Sequence, residues 1–197
     1  MESMSYQSKI EAWEYNPSDD DQRLPHKYPS NRPVPLEHIH DLGILTWKLD
    51  VNDWENNPFL NKIKEERGYK YWEVATLARG VMEDYETKVK GFFQEHMHSQ
   101  EEIRLILDGG GYWDIRDYDD NWIRFRVEKG DLIVLPPGMC HRFTLDVNDY
   151  IKALLIYTEV PARTQHERDD HSAARKSYVE KVLKNPLALH KKIAAAS

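Results

Sequence analysis

The chain has 197 residues, about the length of one domain, and its 40% hydrophobic and 11% aromatic content is enough to fill a core. With 27 Lys and Arg against 34 Asp and Glu the net charge is -7, which excludes sequence-independent nucleic-acid binding because neutralising phosphates takes a basic surface. One cysteine excludes an internal disulfide, and no stretch approaches the roughly 18 consecutive apolar residues of a membrane span.

The start, Met1-Glu2-Ser3-Met4-Ser5, lacks the basic-then-apolar pattern of an export signal, so a cytoplasmic location is expected. Residues 1–35 are polar, punctuated by five prolines, and the run Asp19-Asp20-Asp21 reads as a solvated turn. Pro35 to Gly43 has a proline in its first turn and a glycine stop, which predicts a short helix. It carries His38 and His40, but residues two apart on a helix do not share a face, so these read as a surface pair. Ile44 to Leu49 alternates as a strand does, and Asn57 to Gly68 is an amphipathic helix; both are expected outside the barrel described next. Met82 to Phe93 holds another helix, with Gly91 predicting a stop just before Phe92.

From His96 to Tyr157 the texture changes to short runs separated by turns: 102–107, 111–116, 122–127, 131–135, 141–144 and 150–157. This predicts an all-β sandwich or barrel with peripheral α-helices. Asp108-Gly109-Gly110-Gly111 reads as a hairpin turn, since no Gly-Lys-Ser/Thr follows that would make it a phosphate cradle. Pro136-Pro137-Gly138 ends a strand and turns the chain so that His141 faces inward. Beyond Val160 the chain is polar, with His166 and His171 in coil, a helix over 172–183 and a fraying end at Ala194 to Ser197. A single domain over 1–197 follows: barrel core about 91–160, strands and helices of 1–90 packed on it, and a loop and helix over 161–197.

The chemistry concentrates in two segments. On an extended strand His96 and His98 share a face, and the polar bend Ser99-Gln100-Glu101 lets Glu102 return beside them. His141 completes a set of three imidazoles and one carboxylate, suited to iron(II), nickel, cobalt, manganese or zinc, with two of six positions left open. One carboxylate against a divalent ion leaves a local charge of plus one, which attracts anions. A substrate chelating through two adjacent oxygens as a dianion would make it minus one, and Arg104, sharing Glu102's face, would bring it to zero. The alternative for Arg104, set behind that role, is an ion pair with a neighbouring carboxylate. Phe92, Ile106 and Phe143 share faces with these groups and either wall a cavity for an apolar tail or belong to the core. Cys140 faces away from His141 and reads as a packed, inert thiol.

The spacing His96-x-His98-x-x-x-Glu102-x-x-x-x-x-x-Gly109, followed by Gly130-x-x-x-x-x-Pro136-x-Gly138-x-x-His141, resembles the paired motifs of the cupin superfamily. Phe92 to His98, Glu102-Ile103-Arg104, Gly109 to Asp117 and Gly138 to Asp146 are similar to the acireductone dioxygenase family, as are Asp21 to His26 and Leu42 to Leu49. The resemblance runs from about Ala12 to Ala153. It implies a double-stranded β-helix, or jelly-roll-like, fold and one Fe(2+) or Ni(2+) per chain held by His96, His98, Glu102 and His141. The implied reaction splits 1,2-dihydroxy-3-keto-5-methylthiopentene with O2 in methionine salvage. With iron the products are the 2-keto acid precursor of methionine and formate; with nickel they are methylthiopropionate, formate and carbon monoxide. The resemblance also implies that Trp113 lines the pocket, and it admits a nuclear location and contact with the cytoplasmic tail of a membrane metalloprotease. Where the family commonly carries an arginine this chain has Leu155, so a substrate-positioning charge is expected to be missing. A metallocupin turned binding or regulatory module and a cupin sugar-phosphate isomerase are the competing readings. A monomer is expected, since no heptad seam is present.

Overall fold

The computed structural model describes residues 6–160, 164–168 and 172–184. Its centre is β5, Glu102–Arg116, a strand of 15 residues that belongs to both halves of one curled antiparallel sheet. The first part of β5 pairs with β7 (Asp131–Leu135) and β9 (Tyr150–Tyr157); the second part pairs with β6 (Trp122–Glu128) and β8 (His141–Leu145). Asp108 to Gly111 is therefore not a hairpin turn, as its glycines suggested, but the crossing point of a continuous strand. The register slips between Ile106 and Asp108, and Gly109 takes φ +70°. A Cβ at Gly111 would stand 2.5 Å from the Thr144 carbonyl oxygen, so the glycine is required by close strand approach rather than by a turn.

Four further strands extend the halves. β3 (Leu45–Lys48) pairs with β7 and β4 (Tyr71–Ala78) with β9, while β1 (Ala12–Glu14) joins β6 to β2 (Pro33–Val34). The expectation that Ile44 to Leu49 lies outside the barrel is thus overturned: its apolar alternation is used to add an edge strand to β7. β4 escapes a reading by alternation because its outward side chains, Trp72 and Val74, are exposed and apolar, while its inward ones include Glu73 and Ala75. The polar segment around Asp21 is also anchored. Arg124, buried on the outer face and paired with Asp114 at 2.6 Å, donates to the Gln22 and Leu24 carbonyl oxygens.

Alternation along each strand divides the core. Ile133 and Leu135 of β7 face the interior with Trp113, Ile115 and Phe125, whereas Leu132 and Val134 face outward against α2 (Pro58–Glu66). The α2 helix starts as its sequence dictates: Asn57 accepts from the Phe59 and Leu60 amides, and Pro58 occupies the first turn. Its Leu60 and Ile63 are buried on β5, β7 and β9, stabilising the pair by about 1.5–3 kcal/mol per side chain. α1 (Leu36–Asp41) ends before Gly43, which takes φ +94°, as the glycine stop required. α3 (Tyr85–Phe92) runs through Gly91 to Phe92, one residue beyond the expected stop, because Gly91 keeps a negative φ there. The predicted C-terminal helix is α4 (Ala173–Tyr178), capped by Ser172 and continued by a π-helical turn, Val179–Leu183. His171 and Ala194 to Ser197 lie outside the described residues. Among the described residues no helix is long and apolar enough to cross a membrane.

Candidate metal centre

His96 to His98 is short extended chain held from both sides. His96 exchanges backbone hydrogen bonds of 3.0 and 2.9 Å with His141, and Met97 exchanges another pair with His166. Met97 is fully buried, which leaves the flanking imidazoles on the other side, as strand alternation demands. His141 opens β8 opposite Ile115. The three rings meet with centroids 4.6 Å (His96, His141), 5.1 Å (His96, His98) and 5.5 Å (His98, His141) apart. One nitrogen from each lies within 4.8 Å of the others.

Backbone carbonyls orient every ring. Nδ1 of His96 lies 2.7 Å from the Gln94 oxygen, Nδ1 of His98 2.9 Å from the Thr164 oxygen and Nδ1 of His141 2.9 Å from the Met139 oxygen. A carbonyl can only accept, so each Nδ1 carries a proton and each Nε2 faces the common centre. Nε2 of His141 is buried without a hydrogen-bond partner. An orphaned buried acceptor of this kind fits a cation, and the carbonyl bonds on the opposite nitrogens are what metal-ligating histidines use for orientation.

Glu102 stands at the edge of this group. Its Oε2 is 3.1 Å from His98 Nε2 and 3.5 Å from His141 Nε2, while Arg104 Nη2 approaches the same oxygen at 3.4 Å. Burial opposes ionisation of Glu102, but Arg104, His141 and His98 outweigh it and hold the carboxyl well below its usual range. Burial, reinforced by the neighbouring His141, pushes His96 down to about 4, so it stays a neutral donor. His98 is also depressed by burial, yet its bond to Glu102 and the Thr164 carbonyl raise it overall. An ionised carboxylate and neutral imidazoles are the donor set a divalent borderline ion takes.

The group opens on a cavity of about 390 Å³. Phe92, Arg104, Trp113 and Phe143 line it together with the histidines and Glu102. Ile106 does not: it lies on the interior side but is fully buried in the core. Arg104 faces the cavity and is paired with Glu102. Leu155 also lines the cavity, in cross-strand register between Arg104 of β5 and Glu73 of β4. The walls from β4 and β9, including Ala75, Leu77, Ile151 and Ala153, were absent from the sequence reading, although the odd-numbered positions of each strand share one face. Nothing in the sequence signals the Thr164 carbonyl.

His38 and His40 are apart from this centre. His40 Nε2 lies 2.9 Å from Thr46 Oγ1, and His38 makes a T-shaped ring contact with Tyr118. Cys140 is buried and its thiol is pushed up by burial, as expected of an inert side chain.

A curled antiparallel half-barrel with three imidazoles converging in its mouth defines a metal-binding cupin. The model of the ARD/ARD' family matches residues 11–165. Acireductone dioxygenase 2 of Oryza sativa subsp. indica is 49% identical over 175 residues, covering 88% of each chain. Acireductone dioxygenase of Rattus norvegicus is 45% identical over 172 residues, 87% of this chain and 96% of that one. A Sorghum bicolor relative described as a probable inactive acireductone dioxygenase 2 is 48% identical over 167 residues, 84% of this chain and 92% of its own. The solved acireductone dioxygenase from Bacillus anthracis, with a cadmium ion in its active centre, shares the fold with TM-score 0.61 at 20% identity, covering 71% of this chain and 95% of that one. The chain belongs to the ARD/ARD' family.

Proposed function

We propose that this protein is a metal-dependent dioxygenase that cleaves 1,2-dihydroxy-3-keto-5-methylthiopentene with O2 in methionine salvage. The observation that carries this reading is the convergence of three outward-anchored imidazoles and an ionised carboxylate at the mouth of a cavity with an apolar wall. His96, His98, Glu102 and His141 would hold one Fe(2+) or Ni(2+), which when bound supplies Lewis-acid polarisation and room for two adjacent substrate oxygens.

The chain's own residues do the rest. The Arg104 guanidinium offsets the negative charge that an enediolate brings to the carboxylate side of the site. Phe92 and Phe143, whose ring centroids are 6.4 Å apart, and Trp113 pack the apolar tail and exclude water from the reacting oxygens. Ile106, sealed in the core behind this wall, supports it without touching substrate. With iron the expected products are 4-methylthio-2-oxobutanoate and formate; with nickel they are methylthiopropionate, formate and carbon monoxide. Product analysis of iron-loaded and nickel-loaded protein under oxygen tests this, and no oxygen uptake by protein with a filled site rejects it. We read the described residues as one cupin domain, acting as a cytoplasmic or nuclear monomer; the single cysteine is compatible with a reducing compartment.

A second reading, a metal-holding binding module without turnover, is favoured by one observation. Leu155 leaves Arg104 as the sole cation lining the cavity among the described residues, against the carboxylates Glu73, Glu101 and Glu102. Stoichiometric metal with no substrate-dependent oxygen consumption would establish it. The same shortage of cations argues against a sugar-phosphate isomerase, which needs several basic groups to hold a phosphate.

A further inference from the structure

Trp113 sits at the middle of an in-register row, Phe125, Trp113 and Phe143, on the inner side of β6, β5 and β8. Its ring is stacked with Phe125 at 6.4 Å between centroids and tilted against Phe143 at 4.3 Å, and it is only 4% exposed. A ring gripped on two sides cannot turn, so the direction of its single donor is set by packing. That donor, Nε1–H, points at Glu102 Oε1 at 3.1 Å. The two residues are far apart along one strand and meet only because β5 bends between Ile106 and Gly111 to cross from one half of the sheet to the other. The carboxylate is thereby divided. Oε1 is taken by the indole, and Oε2 is the oxygen beside His98, His141 and Arg104.

From this geometry we infer that Trp113 is a positioning residue that dedicates Glu102 to one-oxygen ligation. This rests on the metal-centre reading above and goes beyond the lining role that the family resemblance implies for the residue. A carboxylate free to rotate about its last bond can offer both oxygens to a cation and fill a position needed by a chelating substrate. An indole N–H bound to one oxygen opposes that rotation, since swinging Oε1 inward would leave a buried donor unsatisfied. Phenylalanine at this position would keep the aromatic row but lose the restraint.

The test uses the full chain loaded with Co(II), whose visible ligand-field bands report the number and arrangement of its ligands. Two replacements remove the donor: Trp113→Phe, and Trp113→benzothienylalanine, which keeps the shape of the indole and substitutes sulfur for its N–H. A third, Phe125→Leu, loosens one side of the packing on Trp113 but leaves its N–H in place. The expected result is that both donor-free variants bind Co(II) about 10- to 100-fold more weakly and show shifted band positions and intensities, while Phe125→Leu, which loosens one grip but keeps the N–H, changes both less. Donor-free variants that match the original protein overturn the inference alone. So does weaker binding with an unchanged spectrum, or an equal effect from Phe125→Leu. Original protein that takes up no Co(II) overturns the metal reading and this inference with it.

Discussion

Replacing Arg104 by methionine tests the electrostatics of the centre in metal-free protein. The guanidinium stands 3.4 Å from Glu102 Oε2, both side chains are largely buried, and Arg104 is the largest influence that lowers the Glu102 pKa. Removing one member of a buried pair typically costs about 3–5 kcal/mol, because the other charge is left uncompensated. The loss has a ceiling, since Glu102 can take up a proton instead: from an ordinary pKa near 4.3, doing so at pH 7 costs about 3.7 kcal/mol. The two figures agree on about 3–4 kcal/mol. At about 2–4 °C per kcal/mol for a chain of this size, the thermal midpoint falls by about 6–16 °C. The pH dependence follows from proton counting. In the variant only His141 and His98 still oppose the burial of Glu102, so its folded pKa rises; where it exceeds the unfolded value, stability falls as pH rises between the two. The gap from the original protein therefore widens from pH 5 to pH 7. Thermal unfolding after chelator treatment measures it, with Glu102→Gln in the same background as control. That second change removes the stranded charge and should recover most of the loss. A midpoint lowered by less than about 2 °C, or lowered equally with Glu102→Gln present, would show that the pair does not stabilise the fold in this way.

His98→Ala is expected to abolish stoichiometric iron or nickel by metal analysis while His38→Ala leaves it intact; equal losses would contradict the separation of the two histidine pairs. Metal affinity should fall as pH drops through the raised pKa of His98, by about tenfold per unit for the one proton displaced, with His96 at about 4 contributing only in stronger acid. Titrations giving a constant affinity from pH 7 to pH 5 would refute that order. Gly111→Ala places a methyl group 2.5 Å from the Thr144 carbonyl oxygen and 2.8 Å from the Phe143 ring, so it should destabilise by about 1–3 kcal/mol and loosen β8, which carries His141. Unfolding midpoints measure the first effect and metal affinity the second.

Much of the centre could be read along the chain because strand alternation is a local rule. It places His96 and His98 on one side of buried Met97, and His141 and Phe143 together on β8. It fails at Ile106 because alternation assigns a face and not a depth: Ile106 is on the same side as Arg104 yet lies in packed core. The glycines at 109–111 misled for a related reason. Small residues in sequence signal either a turn or a close approach, and only the neighbouring strands, with Thr144 against Gly111 and Tyr150 against Gly109, decide which.

By itself the sequence determined which donors exist, their local spacing, the caps of α2 and the β-rich middle, since propensity, capping and alternation act over a few residues. The tertiary structure alone decided which distant groups meet: the Thr164 carbonyl on His98, the Trp113 indole on Glu102, and Leu155 between Arg104 and Glu73. Those contacts depend on how far β5 bends and on which strands pair across it, quantities set by packing of the whole sheet rather than by any one segment.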